Sequence, residues 1–492
     1  MADEEMISFG EKLRQHARTH GDRPAVSCGE ETIGYAELNR RSNRMARALQ
    51  ALGVKAGDLV TLGMPNGIGF VAAAHAIWKL GATPQPISFR LPQAELKAIA
   101  ELADTPVVIA EFGHEIGRPI VSADALLAAS EDDGDLPDAT PPISKAPTSG
   151  GSTGRPKLIL AGQPGVTPRQ TPEVGGFRLR PDETALIPAP MYHNAPFGMM
   201  MQATALGAHV VVMPRFDPEA TLAEIQRRRA TWVYLVPTMM SRIWRLPEAA
   251  RAAYDLSSVE TLWHMAAPCP AWLKEAFIHW IAPGEVMELY AGTEAQAVTI
   301  ITGSEWLTHR GSVGRVSVGE MAVFGEDGQP LPAGQTGEIY MRRAPGAPPT
   351  YRYVGATPKT LPGGWESLGD LGWFDAEGYL YLADRRADMI LVGGSNVYPA
   401  EIEAALEEHP AVQSVAVIGL PDDDFGNVVH AIVQARQAVS EDELRAHLKD
   451  RLVSYKQPRS YEFVDEALRD DAGKVRRSAL REARLGMRAQ PA

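Results

Sequence analysis

The sequence predicts an α/β protein: a large N-terminal domain with parallel α/β sheets plus a β-rich lobe, and a small C-terminal α+β domain. Three observations carry that expectation. At 492 residues the chain exceeds what one ordinary core organises. From Ala36 to Tyr290, apolar strand-like runs alternate with runs of helical period, the rhythm of parallel βαβ units. From Gly311 to Ala383 this gives way to short strands and Gly/Pro turns such as Glu326-Asp327-Gly328, and a separate α+β pattern begins beyond Asp388.

The first helix spans Ala36 to Leu52, with Leu38, Met45, Leu49 and Leu52 on one stripe and Gly53 as its stop. A strand at Asp58–Gly63, a helix at Gly69–Leu80 and a strand at Val107–Ala110 follow. Residues 130–147, acidic and proline-rich, read as a surface connection. Further strands are expected at Thr184–Pro188, His209–Met213, Thr231–Leu235, Val259–Met265 and Glu285–Tyr290, with helices at Pro218–Arg229 and Ala271–Ile281. In open α/β sheets ligands sit beyond the carboxyl ends of strands. One rim should therefore collect Tyr192-His193, Pro237-Thr238-Met239, Ala266-Ala267-Pro268 and Ala291-Gly292-Thr293-Glu294. In the C-terminal unit Pro399 suits a first helical turn, and Ser440 with Glu443 forms a capping box.

Composition narrows the function. With 45% apolar and 22% charged residues the chain reads as globular, and its net charge of −13 disfavours a nucleic-acid partner. Cys28 and Cys269, the only cysteines, make no disulfide framework, which fits a reducing cytoplasm. The acidic N-terminus lacks a signal-peptide core, and no apolar run approaches the roughly 18 residues of a membrane span.

The stretch Thr148-Ser149-Gly150-Gly151-Ser152-Thr153-Gly154-Arg155-Pro156-Lys157 carries three glycines, four hydroxyls and two cations. Glycines let backbone N–H groups approach an anion, hydroxyls donate to phosphate oxygens, and Lys157 or Arg155 offsets charge. The order is wrong for a Walker loop, because Pro156 separates glycine from lysine. Composition alone would also allow a solvated Gly/Ser turn. Downstream, Tyr290-Ala291-Gly292-Thr293-Glu294 offers a ring face, a hydroxyl and a carboxylate able to hold Mg2+.

These runs resemble, in order, the motifs of the adenylate-forming enzymes, the superfamily of acyl-CoA synthetases and adenylation domains. The resemblance covers Tyr35 to Leu480 and rests on five motifs. It implies an ATP phosphate loop at Ser149–Lys157, a ring face for adenine at Tyr290, and further cofactor contacts at Ala266, Ala267, Pro268, Ala291 and Gly292. Thr293 would meet the α-phosphate and Glu294 the metal, Asp370 would take the ribose, and Arg385 would be a second ribose or phosphate contact. Gly393, Gly394 and Ser395 would line a CoA tunnel, and Lys474 would bridge the substrate carboxylate and the α-phosphate. His193 would gate or position the acyl site, without serving as a general base.

The sequence departs from the family pattern at Ala291, Leu368, Ala387, Leu468, Asp470 and Asp471. By the same resemblance, residues 1–384 form the adenylate-forming domain, 385–388 a hinge, and 389–492 a mobile domain carrying Lys474. The implied chemistry is activation of a carboxylic acid as acyl-AMP, then transfer to CoA, using ATP, Mg2+ and CoA. A carrier protein or a nitrogen nucleophile is the alternative acceptor, and a homo-oligomer is left open. With no clear cationic partner for a second acid group among the pocket residues Tyr192, His193, Met239 and Ala266–Pro268, the acid is expected to be bulky and apolar or aromatic.

Overall fold

A computed structural model describes residues 5–111, 113–150, 156–170, 175–344, 346–385, 388–392, 395–422, 425–471 and 473–488. The N-terminal part holds two parallel sheets. In the larger, Pro24–Cys28, His209–Val212, Thr184–Ile187, Trp232–Leu235, Thr261–His264 and Glu285–Tyr290 lie side by side in that order, all parallel. Most of their residues are apolar and buried, as suits strands covered on both faces. The smaller sheet orders Thr83–Pro86, Leu59–Gly63, Val108–Ala110 and Ile120–Val121, again in parallel.

Helices Tyr35–Ala51 and Ile68–Lys79 pack on each other between these sheets, and one apolar core runs through both. The helix expected at Ala36–Leu52 is shifted by one residue, and Gly53 ends it at φ 93°. The helices expected at Pro218–Arg229 and Ala271–Ile281 are found at Pro218–Arg228 and Ala271–Ile281.

Beyond Tyr290 the large sheet continues in antiparallel fashion through Val298–Thr302 and Ser312–Val318 into Leu380–Arg385, Trp365–Phe374, Gly337–Arg342 and Glu320–Phe324. This is the β-rich lobe, joined to the large sheet edge to edge. A third small sheet was not anticipated: Tyr351–Val354 pairs with Pro156–Ala161, which pairs with Thr148–Gly150.

The C-terminal unit has its own core, centred on Val397, Ile402, Leu406, Val415, Val417, Ala431, Val433 and Leu444. Strand Val412–Asp422 runs antiparallel to Gly426–Ala435, which runs parallel to Ser460–Val464. Helices Pro399–Glu407, Glu441–Lys449 and Arg477–Arg488 accompany them, and the Ser440/Glu443 capping box is formed. No helix among the described residues is long and apolar enough to cross a membrane.

Candidate active site

The phosphate-loop run folds as a β-hairpin. Ser149 faces Lys157 and Gly150 faces Pro156 across the ladder. The tip, with Gly151, Ser152, Thr153, Gly154 and Arg155, lies outside the described residues. Lys157 is fixed on the second strand. Its Nζ stands 3.4 Å from Glu294 Oε1 and 4.0 Å from the centre of the Tyr353 ring, which comes from the third strand of that sheet.

Glu294 is the meeting point of this corner. It follows Glu285–Tyr290 and is 5% exposed. Tyr353 donates its hydroxyl to Oε1, and Thr350 Oγ1 donates to the Glu294 carbonyl at 2.6 Å. Dehydration, and then the hydrogen bond to this carboxylate, push the Tyr353 phenol well above its usual range, so it stays a donor. Among the described residues no group of three His, Cys, Asp or Glu side chains gathers as a metal set. Mg2+ commonly takes one or two protein carboxylates and completes its shell with phosphate oxygens and water, which a lone Glu294 beside a phosphate loop fits.

Tyr290 and Asp370, eighty positions apart in sequence, touch: the Tyr290 hydroxyl donates to Asp370 Oδ2 at 2.7 Å. Arg385 is the Cα partner of Asp370 in the lobe's ladder. The residue expected at the ribose and the one expected at the ribose or a phosphate therefore share one rung, and the ring meant for adenine is tied to Asp370 by its hydroxyl. Between Tyr290 and Glu294 the backbone must pass Leu368. A Cβ at Gly292 would lie 2.3 Å from Leu368 Cδ1 and 2.8 Å from Glu294 Oε2, so a side chain there would displace the ends of both. Ala291 and Thr293 flank it, half-buried.

The loop Ala266-Ala267-Pro268 leaves the end of strand Thr261–His264 with Ala266 at φ 77°, a left-handed conformation that costs a non-glycine residue about 1 kcal/mol or more. Sequence reasoning missed a buried cluster at the end of this strand: Lys274 donates to Glu288 in an ion pair, with His264 Nε2 at 3.9 Å from the same carboxylate. Burial lowers His264 to about 4, so its imidazole is neutral.

His193 caps helix Asn194–Leu206 by backbone only, and its Nε2 and Asn194 Oδ1 are buried with no hydrogen-bond partner. Its ring lies 4.3 Å from that of Tyr192. Burial, helped by the nearby Lys474 ammonium and opposed by Asp470 and Asp471, lowers His193 to about 4. Met239, expected in the acyl pocket, is 4% exposed in helix Pro237–Trp244, and Met199, Met200 and Met201 of the helix after His193 lie inside the core.

Lys474 reaches this rim from the other domain. It sits on a tight turn: Asp470 N–H bonds the Lys474 carbonyl at 3.0 Å, and Lys474 N–H bonds Asp470 Oδ1 at 2.9 Å. Gly473, at φ 77°, presses on Thr238, whose Oγ1 would stand 2.9 Å from a Cβ there. Asp471 Oδ2 pairs with Arg90 at 2.9 Å and lies 3.4 Å from the Tyr192 hydroxyl. The aspartates that depart from the family pattern thus form the turn and dock it, while Leu468 is buried against Ile418, Leu420 and Ile432.

Both flanks of the turn are anchored on Glu403. Arg469 reaches Glu403 at 3.1 Å and Glu407 at 3.2 Å. Arg477 reaches Glu403 at 2.8 Å and Asp388 at 2.8 Å. Ser395 opens strand Ser395–Val397, while Gly393, Gly394 and Ala387 lie outside the described residues.

A carboxylate–lysine corner, a tyrosine–aspartate bridge and an incoming lysine-bearing turn around one sheet edge suit binding of a nucleotide triphosphate with an acid beside it. The chain belongs to the AMP-binding enzyme family: the model of that family matches residues 13–351, and that of the AMP-binding enzyme C-terminal domain matches 401–474. It is 34% identical over 481 residues to the feruloyl-CoA synthase of an Amycolatopsis species, covering 95% of this chain and 97% of the relative. It is 32% identical over 507 residues to a long-chain-fatty-acid–CoA ligase of Mycobacterium tuberculosis, covering 97% and 98%. The o-succinylbenzoate CoA synthetase of Bacillus subtilis, solved with its acyl-adenylate intermediate, superposes with a TM-score of 0.82 at 25% identity over 97% of this chain and 98% of that one. An amide bond synthetase of Marinactinospora thermotolerans superposes with a TM-score of 0.76 at 25% identity, over 96% and 99%.

Proposed function

We infer that this chain is an AMP-forming acyl-CoA ligase acting on a bulky apolar or aromatic carboxylic acid. The observation that carries the reading is the docking of the Lys474 turn, from the C-terminal unit, onto the rim that holds Tyr192, His193 and Thr238. The relatives named for feruloyl, long-chain fatty acyl and 2-succinylbenzoyl substrates all join a carboxylic acid to CoA, which supports the same overall reaction here.

In the first half-reaction a carboxylate oxygen attacks the α-phosphorus of ATP, the bond to the β-phosphate breaks, and pyrophosphate leaves. Two anions must be brought together, and Lys474 supplies the positive charge between them. The hairpin 148–157 holds the phosphates, with Lys157 poised on its second strand. Glu294 would hold Mg2+, which would offset charge on the departing pyrophosphate. Asp370, with Arg385 on the same rung, orients the ribose, and Tyr290, Ala266, Ala267 and Pro268 enclose the base. His193 is uncharged at neutral pH and positions the acid and the entering thiol.

In the second half-reaction the CoA sulfur attacks the acyl carbon and AMP leaves with the bonding electrons, while the thiol proton is released. For that step residues 389–492 turn about the hinge 385–388, withdrawing Lys474 and bringing Gly393, Gly394 and Ser395 to the thiol.

Acid-dependent exchange of labelled pyrophosphate into ATP tests the first step, and mass detection of a CoA thioester tests the second. Exchange without thioester, but with amide formed from an added amine, would favour the nitrogen-acceptor reading that the amide bond synthetase likeness keeps in view. Exchange with acyl transfer only to a carrier protein would favour that acceptor instead.

A further inference from the structure

The connection before the phosphate-loop hairpin ends inside the protein rather than on its surface. Ser144 and Ala146 are buried, and the hairpin ladder runs backward past Thr148: Ile159 N–H bonds the Pro147 carbonyl and Ala161 N–H the Lys145 carbonyl, both at 3.0 Å. Ala146 N–H bonds Pro84 in the smaller sheet, also at 3.0 Å. Lys145 is thereby placed between the two sheets. Its side chain runs to helix Asn194–Leu206, where its Nζ would stand 3.2 Å from a Cβ at Gly198, so the missing side chain at 198 admits the ammonium.

The side chain is largely enclosed by protein and keeps some accessible surface. No hydrogen bond or ion pair to its Nζ is found among the described residues. Burial alone lowers its pKa to about 8, with no neighbouring charge contributing. A cation so enclosed costs folding energy unless something answers it. One turn earlier on the same helix face, four residues before Gly198, Asn194 Oδ1 is buried with no partner. Lys145 lies four residues, roughly 13 Å of extended chain, upstream of Ser149. That spacing sets it back from the phosphates, and it suits the far end of an acid whose carboxylate meets the α-phosphate.

We propose that Lys145 determines the specificity of the acyl site, and that the acid it selects carries a distal hydroxyl, as a phenolic acid does. The hydroxyl oxygen accepts from Lys145 Nζ and its hydrogen goes to Asn194 Oδ1, answering a donor and an acceptor at once. A second carboxylate would answer only the lysine. The inference rests on the ligase reading above and sharpens its substrate class.

The test compares 4-hydroxycinnamate, cinnamate and 4-carboxycinnamate by pyrophosphate release, in the wild type and in Lys145→Met. The wild type is expected to favour the hydroxy acid over cinnamate by ~10–100-fold in kcat/KM, as a charge-assisted hydrogen bond gives. Lys145→Met should narrow that ratio to within about threefold. It is expected to fold, since an apolar chain replaces a buried charge. An unchanged ratio, equal loss on all three acids, no wild-type preference, or preference for the carboxy acid would each overturn the proposal. Should no acid support pyrophosphate release, the ligase reading falls. Equilibrium binding of the first two acids, read by tryptophan fluorescence, then decides Lys145 on its own: a preference lost in Lys145→Met sustains it, and equal binding overturns it.

Discussion

Replacing Lys474 by alanine separates the two half-reactions. The side chain is exposed, so its loss should change stability by no more than about 0.5 kcal/mol, and any activity change is chemical. The neighbouring cations are already engaged. Lys157 stands 3.4 Å from Glu294, and Arg90 is paired with Asp471 at 2.9 Å. Neither can take over the charge between carboxylate and α-phosphate, so the loss should be that of one preorganised electrostatic donor, on the order of 10²–10³-fold, or about 2.7–4 kcal/mol. Pyrophosphate exchange reads this directly. The same variant, given a preformed acyl-adenylate and CoA, should form thioester at near the normal rate, because the turn is then withdrawn. Equal loss in both assays would refute the alternation. No loss in either would show that the turn built by Asp470 and Asp471 presents its lysine to nothing.

Three further outcomes are expected. Glu294→Gln keeps size and removes charge, and should cut pyrophosphate exchange by orders of magnitude and weaken its dependence on Mg2+ while the fold survives; an unimpaired variant would remove Glu294 from the metal site. Glu403→Gln strips the shared partner from Arg469 and Arg477 and should cost about 3–5 kcal/mol, read as a lowered urea midpoint of the C-terminal unit; a loss under about 1 kcal/mol would show that the network is not what fixes the turn. Burial lowers His16, His193, His209 and His264 to about 4 and His75 to about 3, so the unfolded chain binds protons there that the native one does not. Stability from these groups is complete above about pH 6.5 and declines as pH falls toward 4, by up to about 1.4 kcal/mol per histidine per pH unit; a flat urea midpoint across that window would contradict their burial as neutral rings.

The parallel sheets were legible because strands buried on both faces must be written as apolar runs, and their helices as stripes closed by glycine, as at Gly53. The Ser440/Glu443 box was legible because its two bonds are local. What escaped the sequence is pairwise and distant. Nothing in Tyr290 names Asp370, and nothing in Glu403 names Arg469 and Arg477. The helix after His193 carries polar and apolar residues without a clear stripe, since both its faces are covered. Residues 130–147 read as surface from their acids and prolines, which hid the largely enclosed Lys145 near their end. Asp470 and Asp471 looked like losses from a motif because only residue types were visible, whereas their carboxylates hold the turn and the dock.

The Arg90–Asp471 contact has one more consequence. Its side chains are 61% and 41% exposed, and such a pair is typically worth about 0.2–1 kcal/mol. In the proposed alternation a contact this light works as a clutch rather than a weld: it would bias the domain toward the adenylating arrangement without holding it there once pyrophosphate has gone. Because water and ions reach the pair, ionic strength becomes a control on turnover, with the Debye length near 8 Å at physiological salt. Raising the salt should loosen the clutch, slowing the entry to adenylation by a few-fold and easing the exit from it, so the slower of the two steps could change places within the range of conditions a cell encounters.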